Sequence, residues 1–179
     1  MKILVTRIAG DIGSGIGRIL RDSGFATKLI GCDIHDQHMG QIIFDTCKVV
    51  PKANKEDYIE RLLKIAKEFD VDAIVPTSEP ELRFFAKQGL SQHINGFSLI
   101  MANLKALNMG FDKLKTADFL AKHNLQFPWT TTVAENEPKE FPCIMKSRFG
   151  AGGQEVRLID GPEFVPVYQK LFPDHIWQE

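Results

Sequence analysis

The sequence has 179 residues, of which 44% are hydrophobic and 25% charged, a globular composition that excludes a disordered or fibrous chain. At about 150 residues per domain, this length allows one large domain or two small ones. The 22 Lys and Arg residues are matched by 23 Asp and Glu residues, so the chain lacks the positive charge that nucleic-acid binding requires, and we predict no such partner.

The first hundred residues alternate strand and helix patterns, which predicts an α/β domain on a mostly parallel sheet. Strands are predicted at 2–7, 27–33, 48–50, 72–76 and 97–101. The first helix is expected after the glycines at 10–17 and ends near Asp22. A second is capped by Asn54 and runs to Phe69, and a third spans 79–88.

The pattern changes near residue 109. A helix is predicted at 112–123, followed by strands at 130–133, 142–148 and 155–159 with the β-branched bias of an antiparallel unit. A further helix begins near Pro162, and a last strand begins at His175. We therefore predict two domains, 1–109 and 110–179.

The cysteines and the apolar runs of the sequence bear on the protein's location in the cell. Cys32, Cys47 and Cys143 form an odd set without a CxxC pair, which favours a reduced, cytoplasmic protein. The apolar start ends at Thr6 and no apolar run of about 18 residues follows, so we predict no targeting or membrane-spanning segment.

A first glycine-rich stretch, with Gly10, Asp11 and Gly13, follows a strand and leads into a helix, where backbone N–H groups favour a bound anion. Asp33 follows about 20 residues later, as in dinucleotide-binding folds, but Arg18 replaces the third glycine of that spacing. Three interpretations stay open: an NAD site, a general anion-binding loop, and a structural turn.

A second glycine-rich stretch, 149–154, joins two strands. Lys146 precedes the glycines, which excludes a P-loop, where the lysine follows them. A strand lysine beside a flap with Gly150, Gly152 and Gly153 favours phosphate binding, since glycine lets backbone N–H groups approach closely. The alternative is a surface hairpin.

Segment 141–153, together with Asp112-Lys113 and the helix after them, resembles the first half of an ATP-grasp fold, in particular the carbamoyl-phosphate synthase large-subunit-like members. Residues 1–109, including 75–82, are similar to the pre-ATP-grasp domain of that family. The resemblance implies a Rossmann-like domain with a mostly parallel sheet, followed by the N-terminal α+β lobe of an ATP-grasp fold.

The resemblance implies ATP-dependent ligation of a carboxylate, or bicarbonate, to an amine through an acyl phosphate. By resemblance, two lysines contact the phosphates, three glycines form the flap, and the hinge contacts adenine largely through its backbone. These nucleotide-binding residues are Lys113, Lys146, Gly150, Gly152, Gly153, Gln178 and Glu179.

Two features depart from the family pattern. Ser147 stands where a proline commonly follows the lysine, and the sequence stops at Glu179, before the second lobe that carries the family's Mg²⁺ ligands and an arginine. Mg²⁺ is expected for a full-length enzyme, with no metal ligand predicted in this chain. By itself the chain is expected to be catalytically incomplete, because those groups neutralise transition-state charge.

The acceptor substrate is predicted at Gly10, Asp11, Gly13 and Glu79, at the carboxyl ends of strands, with Glu79 preferred to Glu81. The alternative for these carboxylates is a helix-start charge that complements the helix dipole. The segment 33–38 carries oxygen and imidazole ligands, but a polar loop is the favoured interpretation.

Two rival functions remain: an NAD-dependent oxidoreductase or epimerase using the first glycine-rich stretch, and a non-catalytic nucleotide-binding module. The expected partners are small carboxylate and amine substrates, with no membrane. A homo-oligomer and a partner that supplies the second lobe are both left open.

Overall fold

A computed structural model describes residues 1–150, 152–153 and 155–179. Ala151 and Gln154 of the predicted flap lie outside the described residues. The chain divides into two compact units, Met1–Leu107 and Asn108–Glu179.

The first unit, all of whose residues are described, is built on a six-stranded sheet in the order β3-β2-β1-β4-β6-β5. Its strands are β1 (Lys2–Thr6), β2 (Lys28–Asp33), β3 (Thr46–Val49), β4 (Ala73–Val75), β5 (His93–Ile94) and β6 (Phe97–Leu99). All pairs are parallel except β5 with β6. The predicted α/β class with a mostly parallel sheet is confirmed.

Helices cover both faces of this sheet. They are α1 (Asp11–Asp22), α2 (Gly40–Ile43), α3 (Tyr58–Glu68) and α4 (Glu79–Lys87). A fifth helix, α5 (Leu104–Gly110), runs across the boundary between the two units. Alternation along β1 separates two cores: Leu4 packs with Leu62 and Phe85, whereas Val5 packs with residues of the opposite face such as Phe44. The sheet is therefore buried on both sides, as a parallel sheet requires.

Some predicted elements differ from the structure. The first helix begins at Asp11, so the glycines predicted as a loop lie mostly within it. The helix expected from Asn54 begins at Tyr58, because the chain first turns through a hydrogen bond from Lys55 N–H to the Lys52 carbonyl. Residues 54–57 are exposed and Tyr58 is fully buried, so the helix begins where the chain returns to the core. Neither β5 nor α5 was predicted.

The second unit contains an antiparallel sheet that, among its described residues, has four strands in the order β7-β10-β8-β9. These are β7 (Thr130–Thr132), β8 (Cys143–Ser147), β9 (Arg157–Ile159) and β10 (His175–Gln178). Two helices accompany it, α6 (Lys113–Lys122) and α7 (Val165–Leu171), the latter after a 3₁₀ turn at Pro162–Phe164.

One face of this second sheet is a hydrophobic core. Met145 and Trp177 are fully buried there, opposite one another on β8 and β10, and pack with Val165 at the start of α7. Side chains alternate along strands, so the neighbours of Met145 and Trp177 project from the other face. Lys146 and Gln178 are two of those neighbours.

Candidate nucleotide-binding site

A cavity of about 290 Å³ lies on the face of the second sheet that carries Lys146 and Gln178. Its lining comes from α6, from the segment before β7 and from the three strands β7, β8 and β10. The lining residues are Gly110, Lys113, Thr116, Ala117, Leu120, Phe127, Pro128, Thr130, Lys146 and Gln178. Apolar side chains thus share the cavity with two lysines, a mixture typical of small-molecule sites.

The Lys146 ammonium is held by a chain of hydrogen bonds across the sheet. It donates to Gln178 Oε1, and Gln178 Nε2 donates to Thr130 Oγ1 over 2.8 Å. The Thr130 hydroxyl donates in turn to the Pro128 carbonyl over 3.0 Å. Burial lowers the pKa of Lys146 from its ordinary value, since a desolvated ammonium is less stable. An anion entering the cavity would restore stabilisation of that charge.

Lys113 lies at the first position of α6, beside the start of the glycine-rich segment. Its Nζ donates to the Ser147 carbonyl over 3.1 Å and to the Gly150 carbonyl. Its backbone N–H donates to the Arg148 carbonyl over 3.2 Å. The helix start and the end of β8 are thereby joined at a point where the positive end of the helix dipole also favours an anion.

Asp112 caps α6 and pairs with Arg148. Its Oδ1 accepts from the Leu114 and Lys115 N–H groups over 3.1 and 3.3 Å, as an N-cap aspartate does. The same carboxylate accepts from Arg148 Nε and Nη2 over 2.8 and 2.7 Å. Burial alone would raise the pKa of Asp112, but the hydrogen bonds from Arg148 and the helix N–H groups outweigh it, so the pKa lies below its ordinary value.

The described glycines of the flap have different structural roles. Gly152 and Gly153 both have φ of +70°, the left-handed region that favours glycine, and nothing lies within 4 Å of where a side chain would begin. At Gly150, an added Cβ would lie 3.0 Å from Ser147 Cβ. Backbone conformation therefore explains two of these glycines, and close packing explains the third.

The structure brings together four of the residues predicted from the sequence: Lys113, Lys146, Gly150 and Gln178. The predicted hinge residue Glu179 instead pairs with Trp129, whose N–H donates to the Glu179 carboxylate over 3.3 Å and whose carbonyl accepts from the Glu179 N–H over 3.2 Å. It does not line the cavity. Thr130, which does, was not singled out from the sequence.

The candidate acceptor residues of the first unit surround the start of α1 and of α4. Gly10 is the N-cap of α1 and Asp11 its first residue. At Gly13 an added Cβ would lie 2.3 Å from the Arg7 carbonyl oxygen, so this glycine allows α1 to approach the end of β1. Glu79 begins α4 and accepts from Arg83 Nε over 2.8 Å, one turn along the helix.

The neighbouring Glu81, not Glu79, is the buried carboxylate of this region. It is 6% exposed, and its oxygens accept from Thr6 Oγ1 over 2.8 Å, from the Ser78 N–H over 3.2 Å, and from the hydroxyls of Ser78 and Tyr58. Ser78 and Glu81 form a capping box at the start of α4. Donors from β1, from α3 and from the N-cap of α4 thus meet on one carboxylate.

Asp33, the candidate ribose ligand of the NAD interpretation, is occupied by the chain's own backbone. It is 3% exposed, and its carboxylate accepts from the N–H groups of Ala9 over 2.9 Å and of Ile34 over 2.7 Å. A buried carboxylate engaged in this way does not face a dinucleotide. Among the described residues, no group of three or more His, Cys, Asp or Glu side chains could hold a metal ion.

Comparisons with known proteins match both halves of the chain. The PylC-like N-terminal domain family matches residues 25–100, and the ATP-grasp domain family matches residues 111–179. The two matches together support an assignment to the ATP-grasp superfamily. A carbamoyl-phosphate synthase of Methanobrevibacter smithii is 28% identical over 98% of this chain and 47% of that protein. The resemblance found in the sequence is therefore confirmed.

Solved ATP-grasp structures share the fold across nearly the whole chain. N5-carboxyaminoimidazole ribonucleotide synthetase of Thermotoga maritima has a TM-score of 0.66 at 16% identity, over 99% of this chain and 45% of that one. An L-amino acid ligase of Bacillus licheniformis has a TM-score of 0.68 at 15% identity, over 99% and 43%.

A third structure was solved with nucleotide. The biotin carboxylase domain of the Hydrogenobacter thermophilus 2-oxoglutarate carboxylase, a dimer in complex with MgADP and bicarbonate, has a TM-score of 0.66 at 16% identity, over 99% of this chain and 43% of that one. This chain therefore spans about half the length of the relatives it matches. In the described part of the chain, no helix is long and apolar enough to cross a membrane.

Proposed function

We propose that the second unit binds ATP and supplies half of the nucleotide site of an ATP-dependent carboxylate–amine ligase, of the carbamoyl-phosphate synthase-like type. The observation that carries the proposal is the convergence of two ammonium groups, Lys113 and Lys146, on one cavity beside a glycine-rich segment. Two cations at a helix start and a strand end suit a polyphosphate.

The roles follow from the chemistry of each group. The ammonium groups of Lys146 and Lys113 would offset phosphate charge, and the glycines at 150, 152 and 153 would present backbone N–H groups to the phosphates. The apolar part of the cavity, with Leu120 and Phe127, suits the face of a base. Gln178 and Glu179 would form the hinge strand beside adenine.

Mg²⁺ belongs to the same proposal. It bridges phosphate oxygens and neutralises charge in phosphoryl transfer, and the carboxylase domain from Hydrogenobacter thermophilus was solved with MgADP. In such sites one or two carboxylates hold the ion together with the phosphates themselves. By the resemblance to the family, we assign the protein ligands of the metal, and the phosphoryl-transfer step, to the family's second lobe.

The acceptor and donor molecules are proposed as a small carboxylate, or bicarbonate, and an amine. Gly10, Asp11, Gly13 and Glu79 remain the candidate contacts for this substrate, at the carboxyl ends of β1 and β4. Open α/β sheets bind ligands at that edge. A homo-oligomer or a partner that supplies a second lobe would complete the assembly.

The test compares Lys146→Ala with Lys170→Ala in the protein as its source cells make it. Lys170, near the end of α7, does not line the cavity, so its loss removes the same charge elsewhere. We expect Lys146→Ala to weaken ATP binding, measured by calorimetry, by about 10- to 100-fold, as loss of a charged hydrogen bond does. The control variant should bind as the wild type does.

Two further measurements separate the rival functions. NAD titrated in the same cell should give no heat, and ADP release should depend on an added carboxylate and amine. ATP binding that is unaffected by Lys146→Ala would remove the nucleotide assignment. Saturable NAD binding would replace it with the oxidoreductase hypothesis.

A further inference from the structure

The pair formed by Asp112 and Arg148 joins three parts of the second unit. Asp112 caps α6, Arg148 follows β8 directly, and the first glycine of the glycine-rich segment, Gly150, comes two residues later. The guanidinium contacts both carboxylate oxygens, over 2.8 and 2.7 Å, while Asp112 is only 3% exposed. Such a two-point contact fixes orientation as well as distance.

Lys113 contacts the segment that carries Arg148 through both its backbone and its side chain. Its backbone follows Asp112 and donates to the Arg148 carbonyl, and its ammonium reaches the Ser147 and Gly150 carbonyls. A cap alone would not need a charged partner, since serine or asparagine caps helices equally well. The ion pair therefore does something that capping does not require: it fixes the helix start against the first residues of the flap.

We propose that Asp112 and Arg148 are a positioning pair that holds the Lys113 ammonium on the Gly150 carbonyl and so sets the resting position of Gly150, the first glycine of the flap. Resting on the proposed function, ATP phosphates then compete with the Gly150 carbonyl for Lys113. Nucleotide binding and release of the flap's first residue are thereby coupled through one side chain. Neither residue of the pair touches the phosphates in this proposal.

The chain offers a matched control in Asp45 and Arg21 of the first unit. Arg21 Nη2 donates to Asp45 Oδ1 over 2.8 Å, and Asp45 also accepts from a backbone N–H, that of Leu29, over 2.7 Å. Burial alone would raise the pKa of Asp45, but these hydrogen bonds outweigh it. The pKa therefore lies below its ordinary value, as at Asp112. Asp45→Asn thus removes a similar Arg–Asp pair that has no glycine-rich segment beside it.

The experiment measures backbone order parameters by ¹⁵N NMR relaxation at Gly150, Gly152 and Gly153 in the nucleotide-free protein, because this readout needs no hydrogen bond at those amides. Asp112→Asn keeps a capping side chain but removes the charge, and Arg148→Met removes the guanidinium. We expect each to lower the order parameter at Gly150 towards about 0.6, whereas Asp45→Asn leaves it unchanged. Arg148→Lys, which keeps the charge but not the two-point contact, should give a smaller decrease.

Lys113→Met tests whether the pair acts through the Lys113 contact. It should lower the order parameter at Gly150 as much as Asp112→Asn does, and the double variant should lower it no further than either single one, because both act through the same contact. Additive effects, or an unchanged order parameter at Gly150 in an Asp112→Asn variant that melts at a lower temperature, would overturn the proposal. Because the order parameters are measured without nucleotide, a failure of ATP binding would count against the proposed function alone.

Discussion

Gln178 Nε2 donates to Thr130 Oγ1, and this contact fixes which end of the Gln178 amide faces Lys146. Because the Thr130 hydroxyl gives its proton to the Pro128 carbonyl, it can only accept from Gln178. The amide must then turn its oxygen to the ammonium. Lys146 is thus oriented by a neutral acceptor, which leaves its positive charge available to an anion.

Replacing that neutral acceptor by a charged one is the first prediction. In Gln178→Glu a carboxylate would pair with Lys146, raise the pKa of the ammonium and compete with phosphate. We expect ATP affinity to fall by about tenfold. Calorimetry gives the affinity, and NMR titration of the Lys146 side chain gives the pKa. Gln126→Glu, at an exposed position, makes the same change of charge and should alter neither.

At acid pH, the Asp112–Arg148 pair should no longer contribute to the free energy of unfolding. The pKa of Asp112 is below its ordinary value of 3.8 in the folded protein, so ionisation of this group stabilises the fold above that ordinary value. The contribution is then lost as the pH falls through the lower, folded pKa. Asp112→Asn should reduce the free energy of unfolding by about 2 kcal/mol at pH 7.

Urea denaturation from pH 7 down to about pH 2 checks this, with the wild type and Asp112→Asn measured side by side. The two free energies of unfolding should converge as the carboxylate is protonated. A difference that stays constant across that range would mean that Asp112 acts by shape and capping, not by charge.

The glycines of α1 should respond in opposite directions to alanine. A Cβ at Gly13 would lie 2.3 Å from the Arg7 carbonyl oxygen, whereas nothing lies within 4 Å of a Cβ at Gly15. We expect Gly13→Ala to destabilise the protein by about 1–3 kcal/mol through overpacking. Gly15→Ala should stabilise it by about 0.5–1 kcal/mol, because alanine has the higher helix propensity.

Thermal and urea denaturation of the two variants tests whether close packing or ligand binding explains why a glycine occupies position 13. Equal, small effects at both positions would show that α1 can move away from β1 freely. In that event the close approach would not explain the glycine, and its candidate role as a substrate contact would gain weight.

The strand of Lys146 was predictable because an apolar run at 142–145 ends on a charge, and the cap of α6 because Asp112 precedes a helical pattern. The partner of Asp112 was not, since Arg148 lies 36 residues further along the chain. Which acid meets which base across such a separation depends on the fold. Thr130 was missed for the same reason: its hydroxyl matters only because β7 pairs with β10.

The first glycine-rich stretch was misjudged by local propensity. Several closely spaced glycines favour a loop, yet α1 starts at Asp11 and includes Gly13, Gly15 and Gly17. Close packing accounts for two of these glycines, Gly13 on Arg7 and Gly17 on the Phe44 ring. The sequence shows that each glycine lowers helix propensity, but it does not show the close contact in the folded protein that offsets this cost.

The last prediction concerns the two glutamates at the start of α4. Burial, and then the adjacent Glu81 carboxylate, raise the pKa of Tyr58 well above its ordinary value, so Tyr58 remains a hydrogen-bond donor. With Thr6 and Ser78 also donating, Glu81 is needed as an acceptor on both oxygens. Glu81→Gln would turn an amide NH₂ towards one of these donors and leave a buried polar group unpaired.

We expect Glu81→Gln to lower the free energy of unfolding by about 1–3 kcal/mol, and the partly exposed Glu79→Gln by less than about 0.5 kcal/mol. Tyr58→Phe removes one donor, so the double variant Tyr58→Phe/Glu81→Gln should lose less than the sum of the single losses. Urea denaturation gives the four free energies of unfolding for this comparison: the wild type, Tyr58→Phe, Glu81→Gln and the double variant. Strict additivity would mean that Tyr58 and Glu81 contribute independently, despite sharing a hydrogen bond.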